Sequence, residues 1–467
     1  MRKHVSIKLS FIIGLILLLG LTGLRCRKGP TAQEAAATRP VTIKWWRVFD
    51  DEAAVRPITE AYRALHPNVT IEYRKLRFEE YEQELLEALA EDRGPDIVSL
   101  HNTWLRKYQS KIASLPATLT IPFQEITGTL KKEVVINLKT APTLSTRALK
   151  ENFVDAVVKD VLVEVADDKG QIKEQIYGLP LALDTMVLYS NRDILNLAGI
   201  PEPPKTWSEF QGAIRKLTKL DAQGKILQSG ASIGSSRNVE RSADILSLLM
   251  MQNGADMIDA SGSAAFHKIP PAFRGRAVSP AEEAIVFYTD FANPQKETYT
   301  WSPQEPSSFE AFVSGRTAMF FGYAYHLPFL RARAGRLNLV ISPAPQIEGN
   351  PEVNFANYWV ETVSRKSQNQ NWAWDFIQFA SSPRNVGSYL AATSKPTALR
   401  SLIAGQVEQE DVGVFAGEVL TAKSWYRGGN AREAEAALLD AIDATLGGAD
   451  PRQVLNIAAQ RVNQTLR

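Results

Sequence analysis

The pattern of apolar and polar positions divides the first part of the chain into alternating strands and helices. Apolar residues alternate with polar ones over Val41–Trp45, as in a strand with one buried face. Apolar residues then recur at helical spacing over 55–65 and over 78–89, while 66–76 and 94–100 each have the composition of a turn followed by a strand. This order of elements predicts an α/β fold with a parallel sheet covered by helices.

Two of the predicted strand ends carry side chains suited to binding a small ligand. Ligands of open α/β sheets collect at the carboxyl ends of the strands, and these ends are Trp45–Asp50 and His101–Trp104. Trp45 continues the inward alternation, so we expect it in the core. The expected cleft residues are Trp46, Arg47, Asp50, His101, Asn102 and Trp104. Alternatives stay open for three of them, since Asp50 could cap the next helix and His101 and Asn102 could close a turn.

A single acidic residue lies inside the apolar segment Ile176–Asn191. Gly178 and Pro180 break this segment, which predicts a turn followed by a buried strand. A carboxylate is costly to bury without partners. Asp184 therefore belongs either to a structural hydrogen-bond network or to a site that a polar ligand completes.

Aromatic residues stand at predicted strand ends and loops in the second half of the chain. Residues 318–322 form a short apolar strand that ends in an aromatic cluster. The candidates for the cleft are Tyr323, Tyr325, Trp359, Trp425 and Tyr426. The alternative for any tryptophan is a place in the core, and we expect that place for Trp372 and Trp374, which lie on a helix with apolar neighbours.

Three long runs of sequence resemble the sugar-binding family of extracellular solute-binding proteins, the receptors of ABC importers. The runs are YGLPLALDTMVLYSNRDILNLAGIPEPPKTWSEF, FVSGRTAMFFGYAYHLP and YWVETVSRKSQNQNWAWDFIQFASSP. The resemblance extends in the family's order from Val41 onward. It implies a two-lobed clamshell of the periplasmic-binding-protein type, in which each lobe is a mostly parallel sheet flanked by helices and several crossings form the hinge. It also implies that Asp184, Tyr323 and Tyr325 face the cleft.

The resemblance further implies domain boundaries and a function. The expected first lobe comprises 41–148 and 350–398, and the second comprises 149–349 and 399–467. A sugar presents edge hydroxyls and apolar faces, so its site needs stacking aromatic rings beside planar polar side chains. The implied function is capture of a carbohydrate between the lobes and its delivery to the permease subunits of an ABC transporter. We expect a monomer with no cofactor and no catalytic step.

The segment from 115 to 174 is polar, and the family pattern is loosest there. We interpret it as an insertion at the start of the second lobe. It is either a solvated elaboration without ligand contact, or a lid or docking surface.

Composition and charge argue against several other functions. The chain has 53 basic and 51 acidic residues and no long run of like charge, so binding to nucleic acid is not expected. One cysteine and 5 histidines without ligand spacing argue against disulfides and a metal site. Two alternatives stay open, a ligand sensor for a signalling partner and a glycoside-acting enzyme. Asp50 and Asp51 are adjacent, however, and cannot by themselves place two carboxyl groups across a scissile bond.

The N-terminus predicts export and association with a membrane. Basic residues precede the apolar run Phe11–Leu24, which is short for a membrane span and suits a signal peptide. Cys26 indicates a lipoprotein, but Arg25 stands where the family pattern has a small residue. Three alternatives stay open: an acylated Cys26, cleavage near 35–37, and an uncleaved anchor. The expected division is 1–26 as signal peptide or anchor and 27–40 as flexible linker, with the protein at the outer face of the cytoplasmic membrane or in the periplasm.

Overall fold

The structure is a computed structural model that describes residues 39–127, 133–167 and 169–466, without the side chains of 124–127 and 133–136. The predicted signal segment and Cys26 lie outside the described residues. Within the described ranges, no helix is long and apolar enough to cross a membrane. In the same part of the chain, no group of 3 or more His, Cys, Asp or Glu side chains could hold a metal ion.

The first lobe begins with the predicted alternation of strands and helices. Its elements up to residue 113 are β1 (Val41–Val48), α1 (Glu52–Leu65), β2 (Val69–Leu76), α2 (Phe78–Ala90), β3 (Ile97–His101), a 3-10 turn (Asn102–Trp104), α3 (Leu105–Tyr108) and β4 (Ile112–Ala113). Strand β1 pairs in parallel with β2 on one side and with β3 on the other. This pairing brings the carboxyl ends of β1 and β3 to one edge of the sheet, where a ligand is expected.

The long insertion forms two antiparallel hairpins and two short helices. Its elements are β5 (Thr118–Thr127), β6 (Glu133–Pro142), α4 (Thr146–Asn152), α5 (Asp155–Val161), β7 (Leu162–Ala166), β8 (Ile172–Ile176) and β9 (Leu179–Pro180). Leu149, Val157 and Leu183 are buried in the same hydrophobic core as Ile43. Residues 149–183 therefore pack with the first lobe, whereas the sequence analysis assigned them to the second. Their buried apolar side chains decide this placement.

The second lobe contains a five-stranded sheet of mixed direction. The elements from 184 to 343 are β10 (Asp184–Thr185), β11 (Val187–Asn191), α6 (Arg192–Leu197), α7 (Trp207–Leu217), β12 (Lys219–Leu220), β13 (Ile226–Ala231), α8 (Ser242–Gln252), a 3-10 turn (Pro271–Phe273), α9 (Pro280–Asp290), α10 (Ser308–Val313), β14 (Thr317–Gly322), a 3-10 turn (Ala324–His326), α11 (Leu327–Arg333) and β15 (Leu339–Pro343). The strand order is β12-β13-β14-β11-β15, in which β13 and β14 are parallel and the other neighbours antiparallel. The expected parallel pairing thus holds for β1 to β3 and not for this sheet.

Three segments of chain connect the lobes. The remaining elements are β16 (Asn354–Asn357), β17 (Trp359–Ser364), α12 (Gln370–Ala380), α13 (Pro383–Thr393), α14 (Arg400–Val407), α15 (Val412–Glu418), β18 (Ala422–Lys423), α16 (Ala431–Leu446) and α17 (Pro451–Thr465). Strands β10, β16 and β18 form a small sheet between the lobes. The chain changes core at these strands, at 183–186, 355–356 and 422–425, and between the last two Phe415 packs in a third cluster with Val187 and Tyr189 of the second lobe. The two-lobed α/β fold with a hinge of several crossings is confirmed. The return to the second lobe was expected near 399, where Leu399 and Ile403 still pack in the first core; the chain reaches the second lobe at Phe415 and leaves the first core for the last time after 422.

Each lobe has its own hydrophobic core. Trp45 and Trp374 are fully buried in the first lobe and Trp372 is 9% exposed there, as expected for all three tryptophans. Phe210 and Trp301 are buried in the second lobe. Two separate cores joined by a three-stranded hinge allow the lobes to rotate against each other as rigid bodies. The surfaces that face each other across the hinge are the place to look for a site.

Candidate functional site

Two adjoining cavities lie between the lobes. The β1 cavity has a volume of about 400 Å³ and lies beside the end of β1. The Trp425 cavity has a volume of about 330 Å³ and lies between the 3-10 turn after β3 and Trp425. The residues that line both cavities are Phe78, His101, Arg241 and Asn357. The two cavities therefore form one cleft, whose size is that of a small-molecule site.

Four aromatic rings form a row that crosses the cleft. The ring centroids of Phe49 and Phe78 are 5.7 Å apart with 23° between their planes, and those of Phe78 and Trp104 are 6.4 Å apart at 18°. Phe49 and Tyr325 are 6.3 Å apart at 9°. Trp359 contacts the row edge-on, 5.9 Å from Phe49 and 5.4 Å from Trp104. Tyr325 belongs to the second lobe and the other rings to the first, so the row spans both lobes.

The position of Phe49 depends on a strained turn after β1. Its φ is +66°, and the N–H of Asp50 donates to the C=O of Val48 at 2.8 Å, which closes a γ-turn around Phe49. Bulky residues rarely adopt positive φ, and such strain concentrates at functional sites. The exposed fraction is 45% for Phe49 and 46% for Phe78. Two adjoining, half-exposed rings in a cleft are typical of a binding surface.

Charged side chains at the end of β1 neutralise one another. Arg47 is 4% exposed and lies 3.3 Å from Asp50 and 3.1 Å from Glu361. Asp50 accepts hydrogen bonds from Lys395 Nζ at 2.6 Å and from Tyr389 OH at 2.9 Å. Burial would raise the pKa of Asp50, but Arg47 and Lys395 lower it below its ordinary value. Asp50 is therefore a fixed carboxylate of the cleft, and the N-cap of α1 is the next residue, Asp51.

Asp184 joins the first crossing to the second lobe. Its Oδ1 accepts hydrogen bonds from the N–H groups of Thr185 and Ala324, both at 2.9 Å, and its Oδ2 accepts one from the N–H of Tyr325 at 3.3 Å. Burial raises the pKa of Asp184 to about 7, although these N–H donors and Lys395 oppose the rise. The carboxyl group also lines the β1 cavity. Both settings that the sequence left open, a hydrogen-bond network and a cavity wall, are thus present.

His101 and Asn102 stand at the junction of the two cavities. The ring nitrogens of His101 lie 2.8 Å from Thr103 Oγ1 and 3.0 Å from Asn357 Oδ1. Burial lowers the pKa of His101 to about 4, so the ring is neutral at physiological pH. Asn102 donates from Nδ2 to Asp160 at 3.0 Å. Its Oδ1 is buried and accepts no hydrogen bond from the described part of the chain.

The second lobe supplies a rigid wall to the Trp425 cavity. Trp425 and Tyr426 line this cavity while most of each side chain is buried in the second core. Trp425 Nε1 donates to Ser247 Oγ at 3.2 Å. Arg241 forms two hydrogen bonds with Asp244, at 2.8 and 3.0 Å. These contacts fix the shape of the wall before any ligand arrives.

Most of the site residues expected from the sequence lie together, and two do not. The expected residues that line the cleft are Arg47, Asp50, His101, Asn102, Trp104, Asp184, Tyr325, Trp359, Trp425 and Tyr426. Trp46 is buried at 7% exposure, because the guanidinium of Arg74 covers its ring at 4.7 Å. Tyr323 is fully buried in the second lobe, where its OH donates to Asp244 at 2.7 Å. Neither reaches a cavity.

Several residues of the cleft were absent from the sequence prediction. They are Phe49, Phe78, Arg241, Asn357, Tyr389 and Lys395. Phe49 lies between two predicted residues, so its position at the strand end was a usable signal. Tyr389 and Lys395 lie more than 300 residues from Asp50 and carry no local signal.

The architecture is that of a solute receptor that closes around its ligand: two α/β lobes, a ligand-sized cleft at the strand ends, and a three-stranded hinge. The chain belongs to the family of bacterial extracellular solute-binding proteins, whose model matches residues 49–387. Members of this family are binding proteins that act outside the cytoplasm.

Solved structures share this fold at low sequence identity. A cyclic alpha-maltosyl-1,6-maltose binding protein from Arthrobacter globiformis is 17% identical, with a TM-score of 0.69 over 91% of this chain and 99% of its own. The GacH receptor of Streptomyces glaucescens is 15% identical, with a TM-score of 0.66 over 91% of this chain and 98% of its own. The sugar-binding protein MalE of Xanthomonas citri is 16% identical, with a TM-score of 0.66 over 91% and 97%. These similarities establish the fold.

Proposed function

We propose that this protein is the receptor of an ABC importer and that it binds a neutral carbohydrate in the cleft between its lobes. The observation that carries the proposal is the row of Trp104, Phe78, Phe49 and Tyr325 beside fixed polar groups. Aromatic faces pack against the apolar C–H faces of a sugar ring. Carboxylate, guanidinium and amide groups at the edge of such a stack bind the hydroxyls.

The charges of the β1 cavity favour a neutral ligand over an anionic one. Arg47 and Lys395 lie beside Asp50, and Arg241 is paired with Asp244. The three cations therefore already have carboxylate partners. Asp184 accepts its hydrogen bonds from backbone N–H groups. Among the described residues that line the β1 cavity, each cation is already paired, so an added anion there would meet these carboxylates without an unpaired cation to offset the repulsion, whereas a hydroxyl can donate to a carboxylate.

The similar structures support the same class of ligand. They include the cyclic alpha-maltosyl-1,6-maltose binding protein, and the GacH receptor in complex with acarbose. Their fold spans nearly the whole of this chain. We extend the proposal to the remaining features: a monomer, tethered to the membrane or released by its N-terminal segment, that hands its sugar to a pair of permease subunits without a catalytic step.

A ligand screen tests the proposal. Melting temperatures are measured with a panel of neutral sugars (maltose, maltotriose, cellotriose, mannobiose) and with galacturonate and glucose 6-phosphate as anionic counterparts. A sugar present at 100 times its dissociation constant should add about 2.7 kcal/mol to the free energy of unfolding. Calorimetric titration should then give one site per chain, and chromatography should recover the sugar unchanged. Preference for the anionic sugars, or turnover of the bound one, would refute the proposal.

A further inference from the structure

A buried carboxylate outside the cleft ties together elements on both sides of the hinge. Asp160 lies near the end of α5 and is 2% exposed. Its Oδ2 accepts hydrogen bonds from Asn102 Nδ2 at 3.0 Å and from Tyr358 OH at 2.7 Å. Its Oδ1 accepts from Ser424 Oγ at 2.7 Å and from Arg427 Nε at 2.9 Å. Asp160 itself lines neither cavity.

The four donors come from three separate parts of the chain. Asn102 opens the 3-10 turn after β3, in the first lobe. Tyr358 follows the second crossing, whereas Ser424 lies within the third and Arg427 lies beyond it. The Asp160–Arg427 ion pair therefore connects the first lobe to the segment that enters the second. A rotation of the lobes about the third crossing must move Ser424 and Arg427 relative to Asp160 or carry the carboxylate with them.

The bond from Asp160 also decides what Asn102 presents to the cleft. A side-chain amide has donors at one end and an acceptor at the other. Since Asp160 holds the Nδ2 end of Asn102, the Oδ1 end is the one left for the Trp425 cavity, which Asn102 lines. This Oδ1 is buried and has no partner in the described chain. A buried acceptor without a donor is costly, so a ligand donor at this point is favoured.

We propose that Asp160 is a positioning residue that couples the third crossing to ligand recognition through Asn102. With Ser424 and Arg427 bound to it, the carboxylate is fixed and holds Asn102 Oδ1 toward the cavity as an acceptor for one hydroxyl of the ligand. Opening of the hinge disturbs these bonds and releases the acceptor. The inference rests on the proposed carbohydrate function, because a hydroxyl is the donor it requires.

The test is a double-mutant cycle on sugar affinity. The variants are Asp160→Asn, Asn102→Ala and the double variant. The probe is whichever of maltose, maltotriose, cellotriose and mannobiose raises the wild-type melting temperature most. Each single variant should weaken binding about three- to tenfold, the equivalent of one hydrogen bond. The double variant should bind about as weakly as Asn102→Ala alone, because the effect of Asp160 passes through Asn102. The matched control is Asp155→Asn, a carboxylate on the same helix whose side chain is 73% exposed.

Two further variants test the hinge without altering the buried carboxylate. Ser424→Ala and Arg427→Gln each remove one donor of the third crossing from Asp160. Both should weaken binding and broaden the unliganded scattering profile toward larger radii. Equal losses from Asp160→Asn in the presence and absence of Asn102 would overturn the inference, as would unchanged affinity in both hinge variants. A wild-type protein that binds none of the sugars would instead refute the carbohydrate proposal on which the inference rests.

Discussion

Replacement of Asp184 should lower both the stability of the protein and its affinity for sugar. Asp184→Ala removes three acceptor contacts; it leaves the N–H groups of Thr185 and Ala324 without this partner at buried positions, and that of Tyr325 at a partly buried one. An unsatisfied buried donor costs about 1–3 kcal/mol, so we expect the free energy of unfolding to fall by about 3 kcal/mol or more. Sugar affinity should fall as well, because the same bonds hold Tyr325 in the aromatic row.

Asp184→Asn separates the charge of this group from its shape. Two of the three N–H donors bond to the same oxygen, Oδ1, which the asparagine retains, and the bond that is lost is the longest, 3.3 Å to Tyr325. At about pH 4, where Asp184 in the folded protein is neutral like the amide, the stability of this variant should therefore lie close to that of the wild type. Urea unfolding followed by tryptophan fluorescence measures both variants, with Asp256→Ala, at an exposed position, as control. A loss below about 1 kcal/mol for Asp184→Ala would refute this account.

The pH dependence gives a second, independent readout of Asp184. Its pKa in the folded protein is about 7, above the ordinary value of 3.8, so the folded state binds the proton more tightly than the unfolded state. The contribution of Asp184 to stability should therefore fall as pH rises from about 4 to about 7, by at most about 4 kcal/mol. Asp184→Asn should abolish this slope. Sugar affinity should change in the opposite direction and rise with pH, since hydroxyls donate to the charged form. Because His101 acts in the opposite direction over part of this range, the test is the difference between the two proteins, and an equal pH dependence of the wild type and Asp184→Asn would contradict the assignment.

Three further predictions concern single residues. Phe49→Ala should weaken sugar binding about two- to tenfold by loss of stacking and leave the melting temperature nearly unchanged. The control is Phe329→Ala, at a position that is 57% exposed. An unchanged affinity in calorimetric titration would show that Phe49 is not part of the site. The pKa of His101 is lowered to about 4 in the folded protein, so the free energy of unfolding should decrease as pH falls from about 6.5 toward 4. His101→Gln should remove this part of the pH dependence when unfolding is measured as a function of pH. Cys26→Ser should release the protein from membrane fractions if the cysteine is acylated, and retention with normal processing would exclude acylation.

Local periodicity predicted the first lobe because its elements alternate in sequence order. The strands β1, β2 and β3 and the helices between them form where spacing of apolar residues required them. The same reasoning failed at Trp46. Alternation places it on the face opposite Trp45, and the prediction assumed that this face meets the cleft. Strands in a parallel sheet are covered on both faces; Arg74 covers the ring of Trp46, and Tyr81 OH donates to its backbone C=O at 3.3 Å.

The rest of the cleft depends on contacts that no local pattern encodes. Asp50 was a candidate from its strand end, but its partners Tyr389 and Lys395 come from a helix and a loop late in the chain. Arg241 precedes α8 with a left-handed backbone, φ +58°, in a stretch without a recognisable motif. Residues 149–183 pack with the first lobe for the same reason, since burial in a distant core decides their place.

The turn after β1 explains how three residues within four positions, Arg47, Phe49 and Asp50, serve two purposes. In a regular strand, Arg47 and Phe49 would share one face and would compete for the same space. The γ-turn at Phe49 breaks that alternation, so Arg47 and Asp50 meet at 3.3 Å while Phe49 points into the aromatic row. A positive φ at a bulky residue costs of order 1 kcal/mol or more. That cost is offset by the ion pairs around Asp50, which fix the residue after the turn. The charged cluster around Asp50 therefore stabilises the turn conformation in which the Phe49 ring stacks with Tyr325 of the other lobe.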